Sequence, residues 1–261
     1  MRVGRARVWE DEDYAHVRKL CLDMDGWVEV YKKGHKRIYS QSIGSTAVQM
    51  YKAHLVWSDV PADVLFDVLH DGSYRATWDK HMTKSDEIGM LNPNNDLCYY
   101  AVKSITPIRP RDFVLQRSWL DTGAEKLLCS HSVCHDDYPP REGHIRATTY
   151  TSGYLIRELK KGGCEVIYVT HTDPGGKIPT WLVNRASKSM APKVLDKLHK
   201  SCLAYPGWKA ANRPHWKPWI YPDQLIDAPR VDIRKCDPRE YEVSCEDGVD
   251  VEDDDESGSE S

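Results

Sequence analysis

The chain has 261 residues, 40% of them hydrophobic and 29% charged, with a net charge of −4. That length suits one large domain or two small ones, and the apolar share is enough for a core. The charge is uneven: from Asp237 to Ser261 twelve acidic residues stand against one Arg, a local −11, which leaves +7 on the body before it.

An acidic block of this kind is expected to be disordered and solvated. A basic body points to an anionic partner, a phosphate group or a membrane surface. The start, MRVGRARVWEDEDY, has no apolar core of a signal peptide, and no apolar run approaches the ~20 residues of a membrane span. The eight cysteines form no CxxC pair and no regular framework, so they read as reduced thiols. The expectation is a soluble, cytoplasmic protein.

In chain order, Asp11 can cap a first helix, with Tyr14, Val17, Cys21 and Met24 along one face. Strands are predicted over 27–32, 35–42 and 49–57, the last with only partial alternation and an open register. Pro61 opens a short helix, PADVLFDVLHD, and a further helical turn follows at 74–80. Six more strands are predicted over 82–91, 96–105, 112–121, 126–135, 143–158 and 164–172, joined by turns such as Asn92-Pro93-Asn94-Asn95 and Lys160-Lys161-Gly162-Gly163. Nine strands joined mostly by short turns imply an antiparallel sheet.

Asp173-Pro174-Gly175-Gly176 ends the last strand, and a long helix is predicted after it. Leu182, Ala186, Met190, Val194, Leu198 and Cys202, with Leu195 and Leu203, make an apolar stripe of helical period. The other face carries Lys193, Lys197 and Lys200, with Arg185 and Lys188 ahead of them, and Ile178, Trp181 and Leu182 stand at the entry. Pro192 falls inside the expected helix, where a kink is predicted. Such a helix can simply cover a sheet, or it can be a movable lid that touches membranes, since basic charge with Trp and Leu is what an interfacial helix needs. Beyond Tyr205 the chain is rich in Pro and Trp and reads as an extended segment on the surface.

Four motifs, YRATWD at 74–79, PRDFVLQRSW at 110–119, REGHIRA at 141–147 and DPGGKIPTWLVN at 173–184, stand in the order and spacing of START lipid-transfer domains. The resemblance covers roughly residues 10–210 and is strongest to the phosphatidylcholine-transfer subgroup with its PCTP-like members. It implies an α+β helix-grip START fold, a curved nine-stranded antiparallel sheet around a long C-terminal helix, with a closed tunnel for one lipid. The chain then divides into a START lipid-binding domain (1–210), a Pro/Trp-rich extension (211–236) and an acidic disordered tail (237–261).

Arg75 and Asp79, four apart on a helical turn, can form a surface ion pair. The resemblance implies more: Arg75 binds the lipid phosphate and Asp79 orients it. A guanidinium suits that role because it offers paired donors and keeps its charge. The resemblance also implies that Tyr100, Phe113 and Tyr150 contact the headgroup, where cation–π attraction suits a quaternary ammonium. The same three residues also fit ordinary sheet core. Two further aromatic positions of choline-binding relatives fall on Leu69 and Thr170, so phosphatidylethanolamine joins phosphatidylcholine as an expected ligand.

Cys129, His131, Cys134 and His135 look like a metal set, but on a strand Cys134 faces away from the others, and no metal is expected. No GxSxG, HExxH or P-loop is present. Ser257 follows five acidic residues and has Glu260 three positions on, resembling an acidophilic kinase site. The reading is a non-enzymatic, cytoplasmic phospholipid carrier, without a cofactor, whose one bound phospholipid is its cargo. It is expected to be monomeric, to touch membranes transiently at their surface and to bind no nucleic acid. Protein partners are unknown. The alternatives are a lipid-gated scaffold and, behind it, a module associated with acyl-ester hydrolysis.

Overall fold

The computed structural model describes residues 4–44, 48–103, 108–176, 178 and 190–239. In order they form α1 (Asp11–Leu22), β1 (Val28–Lys33), β2 (Lys36–Ser42), β3 (Gln49–Trp57), α2 (Ala62–His70), α3 (Gly72–Trp78), β4 (Met82–Asn92), β5 (Asn95–Val102), β6 (Arg111–Asp121), β7 (Glu125–Ser132), β8 (Ile145–Arg146), β9 (Thr148–Glu158), β10 (Cys164–Asp173) and α4 (Ala191–Ala211). Two short 3₁₀ turns, Pro222–Leu225 and Ile233–Lys235, follow.

The strands make one curved sheet in the order β1-β2-β3-β10-β9-β7-β6-β5-β4, every pair antiparallel. The count is ten rather than the expected nine. The predicted strand over 143–158 splits at Ala147, whose N–H donates to the Asp112 carbonyl, and the two-residue β8 pairs parallel with β6.

Each face of the sheet has its own helices. On the convex face α1 buries Tyr14, Val17 and Cys21 against Leu127, Cys129, Leu155, Ile167 and Val169. It approaches so closely at Gly153 that a Cβ there would lie 2.4 Å from Val17 Cγ1. The helix is capped one residue earlier than expected: Glu10 is the N-cap, and its N–H donates to Asp13 Oδ2 at 2.9 Å.

The concave face meets α2 and α4 in the largest core cluster, which includes Leu55, Leu65, Val68, Leu69, Ile156, Val166, Leu195, Leu198, Cys202 and Tyr205. Two acids, Asp67 of α2 and Asp71 just after it, lie in this layer and are hydrogen-bonded. Asp71 accepts from Tyr205 Oη at 3.1 Å and Lys209 Nζ at 2.8 Å, while Asp67 accepts from Lys217 Nζ at 2.5 Å and Trp219 Nε1 at 2.7 Å.

The described part of the C-terminal helix runs Ala191–Ala211, with Pro206 inside it; the expected helical residues before Met190, which would set the position of Pro192 in the helix, lie outside the described residues. It also takes in Gly207–Ala211, which the sequence reading placed in the extended segment. Its buried stripe is Leu195, Leu198, Cys202, Tyr205 and Lys209, whereas Val194 and Leu203 are each 49% exposed. The expectations on Trp181 and Leu182 lie outside the described residues, as do the tail beyond residue 239 and Ser257.

After α4 the chain crosses back over α2 and closes on the sheet edge. Met90 of β4 donates its N–H to the Pro229 carbonyl at 2.8 Å, and Val231 donates to the Met90 carbonyl at 3.1 Å. Neighbouring Gly89 is needed there, since a Cβ would lie 2.8 Å from the Pro229 oxygen. Covering an edge in this way removes a template for unwanted strand pairing. Among the described residues, no helix is long and apolar enough to cross a membrane.

Candidate functional site

The site is built on α3 and the two strands it faces. Asp71 caps α3 by accepting from the Tyr74 N–H at 3.1 Å. Tyr74 is buried, and its hydroxyl donates to the Ser201 carbonyl of α4 at 2.7 Å, which fixes the rotation of the short helix. That rotation sends Arg75 and Trp78, three apart, to the same side.

The Arg75 guanidinium lies 5.9 Å from the centroid of the Tyr100 ring and 5.8 Å from that of Trp78. Cation–π attraction over two rings holds it in place. Tyr100 sits on β5 directly opposite Phe113 on β6, ring centroids 6.2 Å apart. Burial pushes the Tyr100 phenol's pKa well above its ordinary value, and the Asp79 charge adds to the effect.

Asp79 does not pair with Arg75. Its Oδ1 accepts from the His81 N–H at 3.1 Å and its Oδ2 from the Tyr100 hydroxyl at 2.7 Å. Arg75 is therefore a half-buried cation with no carboxylate in ion-pair reach among the described residues. The structure thus brings Arg75, Asp79, Tyr100 and Phe113 together. Tyr150, at a bulge in β9, packs its ring 4.8 Å from that of His171.

Sequence reasoning missed several interior groups. Arg117 of β6 makes a bidentate pair with Asp96 of β5, at 2.8 and 2.5 Å, on the same face of the sheet as Tyr100 and Phe113. Burial opposes the Arg117 charge, but the Asp96 carboxylate outweighs it and raises the guanidinium's pKa. The signal was partial: both residues lie in predicted strands, 96–105 and 112–121, but their pairing is set by the register across the β5–β6 connection, which the sequence reading left open. The Trp78 indole Nε1 is buried without a hydrogen-bond partner, and nothing in the sequence announces that.

Two hollows flank the C-terminal extension. One, of about 440 Å³, is lined by residues that include Pro93, Trp119, Trp219 and Ile220. A smaller one, of about 90 Å³, includes His70, Glu87, Asp96, Arg117 and Trp219. Neither is lined by Arg75, Tyr100 or Phe113.

At the other end of α4 the lysines of the expected membrane face are in view. Lys193 and Lys200 are exposed and Lys197 is half-exposed, at i, i+4 and i+7 of one face. Among the described residues no ion pair engages them, and the nearby Asp196 is held by Lys36. Ile178 is half-buried at the start of the segment leading to the helix.

A curved antiparallel sheet gripping a C-terminal helix defines a helix-grip protein. The model of the START domain matches residues 7–209. START domain-containing protein 10 from Mus musculus is 36% identical over 219 residues, covering 84% of this chain and 75% of that protein. Phosphatidylcholine transfer protein from Rattus norvegicus is 29% identical over 210 residues, 77% of this chain and 97% of the relative. The crystal structure of human STARD10 superposes with a TM-score of 0.84 at 34% identity, covering 90% of this chain and 96% of that one. This chain belongs to the START-domain family.

Proposed function

We propose that this protein is a phospholipid carrier: it holds one phospholipid between the concave sheet and α4 and exchanges it at membranes. The observation that carries this reading is the Arg75 guanidinium, half-buried, flanked by two aromatic rings and without a carboxylate partner. A desolvated cation is costly unless an anion reaches it. A lipid phosphate meets that need and offers the geometry a guanidinium binds best. The kinship with phosphatidylcholine transfer protein supports the same cargo.

In this reading Asp79 acts through Tyr100. By accepting the phenol's hydrogen bond it fixes the ring on which Arg75 rests. Tyr100 and Phe113 form the aromatic wall of the headgroup site, with Tyr150 as a further contributor. Leu69 is buried apolar core and Thr170 is bonded to Thr172, so neither supplies an aromatic face for choline. The carrier therefore takes phosphatidylethanolamine as well as phosphatidylcholine.

The lid, with Ile178, Trp181 and Leu182, and the basic face of Lys193, Lys197 and Lys200 meet the membrane. The protein works as a cytoplasmic monomer, transiently attached to membrane surfaces, with no catalytic step. Phosphorylation at Ser257 would add ~−1.5 to −2 charges to a tail already at −11. Measuring transfer of labelled phosphatidylcholine between vesicles by wild type and Arg75→Leu tests the reading. Strong loss of transfer in a folded variant is expected, since a hydrogen bond to a charged group contributes ~1.5–3 kcal/mol. Wild-type transfer by Arg75→Leu would remove the phosphate assignment.

A further inference from the structure

On α3 the Trp78 indole N–H has no acceptor, and beside it the Arg75 guanidinium, resting against the Tyr100 phenol, has no carboxylate among the described residues. The Trp78 indole Nε1 is buried without a partner. Indole N–H donates only, so no rearrangement of its own ring satisfies it. The Arg75 guanidinium, 5.8 Å from the Trp78 ring centroid, has no carboxylate. The one acid on this turn, Asp79, already accepts from His81 N–H and the Tyr100 hydroxyl. Natural folds rarely retain a buried donor unmade, and those that remain call for an explanation such as an absent ligand.

We propose that Trp78 is a second phosphate ligand, its indole N–H and the Arg75 guanidinium binding the same phosphodiester group of the lipid. The proposal rests on the phospholipid reading above and deepens it. A phosphodiester carries one negative charge over two non-bridging oxygens. One oxygen can meet the cation and the other the N–H, so a single group satisfies both donors. A neutral lipid, such as diacylglycerol, has no oxyanion to offer and leaves the cation unpaired. Leaving a site's buried polar groups unmatched is the strongest form of rejection a binding site has. The pair would thus select phospholipids as a class, while the aromatic wall acts only on the headgroup amine.

The test uses the full chain and the variant Trp78→Phe, which keeps a ring beside the guanidinium and deletes the N–H. Extraction of phosphatidylcholine and of diacylglycerol from vesicles is measured for both proteins. The indole ¹⁵N–¹H resonance that the variant lacks is followed in the wild type as phosphatidylcholine is loaded. Phosphatidylcholine extraction is expected to fall about 10-fold, as for loss of a hydrogen bond to a charged group. Any diacylglycerol extraction should be unchanged, and the Trp78 resonance should move downfield on loading.

Wild-type phosphatidylcholine extraction by Trp78→Phe would overturn the proposal, as would a resonance that loading leaves in place. An equal loss for both lipids would place the N–H on an ester carbonyl and also overturn it. Should the variant fail to fold, the wild-type resonance decides alone. Arg75→Leu separates the two levels: loss there with none in Trp78→Phe removes the second ligand only. A wild type that extracts no phospholipid removes the reading beneath it.

Discussion

His70 is packed where a charge cannot be tolerated. It is 6% exposed, its ring lies 5.1 Å from that of Trp119 and 5.6 Å from that of Trp219, and its Nδ1–H donates to the Phe66 carbonyl at 2.9 Å. Burial pushes its pKa down to about 3, from an ordinary 6.5. The unfolded chain therefore takes up a proton near pH 6.5 that the folded chain refuses until about pH 3. Stability from this residue is complete above that upper value and falls as pH drops through the interval, by about 1.4 kcal/mol per pH unit. Urea unfolding of wild type and His70→Asn at several pH values between 7 and 4 should show a shallower acid slope in the variant. Equal slopes would contradict the assignment. Such a residue escapes sequence reading because its partners come from a strand and from the extension, far along the chain. Asp79 is similar: the motif at 74–79 located it, and the i, i+4 spacing suggested Arg75 as its partner. The Tyr100 hydroxyl, from a strand not adjacent in sequence, took that carboxylate instead. Arg75 was legible as a site residue because its motif is local, whereas its want of a carboxylate among the described residues and the unpartnered Trp78 N–H are properties of the assembled core.

Elements were more legible than residues. Alternation and turns located β3 over 49–57 and most other strands to within a few positions. The errors came where tertiary contacts overrode local pattern. On α4, apolar spacing alone favoured Val194 and Leu203, but the buried face extends to Tyr205 and Lys209 because Asp71 draws a phenol and an ammonium inward. A hydrophobic stripe cannot register a polar anchor of that kind. The opposite face of the helix presents Lys193 and Lys200, with the half-exposed Lys197, to solvent, and no ion pair engages them among the described residues. Reversing all three to Glu should weaken binding to anionic vesicles, by ~1 kcal/mol for each basic residue near the surface. Transfer should slow while the amount of lipid carried stays the same. Vesicle sedimentation unaffected by the triple reversal would show that the face is merely solvated.

Over the whole molecule, the extension packs against the START domain, since Lys217 and Trp219 bind Asp67 and residues 229–231 pair with Met90. The composition shift at residue 211 marked a change of local character without revealing these contacts. The charge asymmetry of the chain was readable directly, and it has a testable consequence. A segment of −11 tethered to a body of +7 is expected to compete with anionic lipid for the basic face at high effective concentration. Deleting 237–261 should raise membrane binding and transfer, most clearly at low salt, and Ser257→Glu should lower both. Equal rates for full-length, truncated and Ser257→Glu proteins at two salt concentrations would eliminate the competition. The central claim, that one phospholipid is the cargo, is tested most directly by native mass spectrometry of the chain after incubation with vesicles of mixed phosphatidylcholine, phosphatidylethanolamine and sterol. The account predicts one added phospholipid per chain, drawn from both headgroup classes, and none on Arg75→Leu. A chain that emerges empty, or carrying sterol in place of phospholipid, would contradict it.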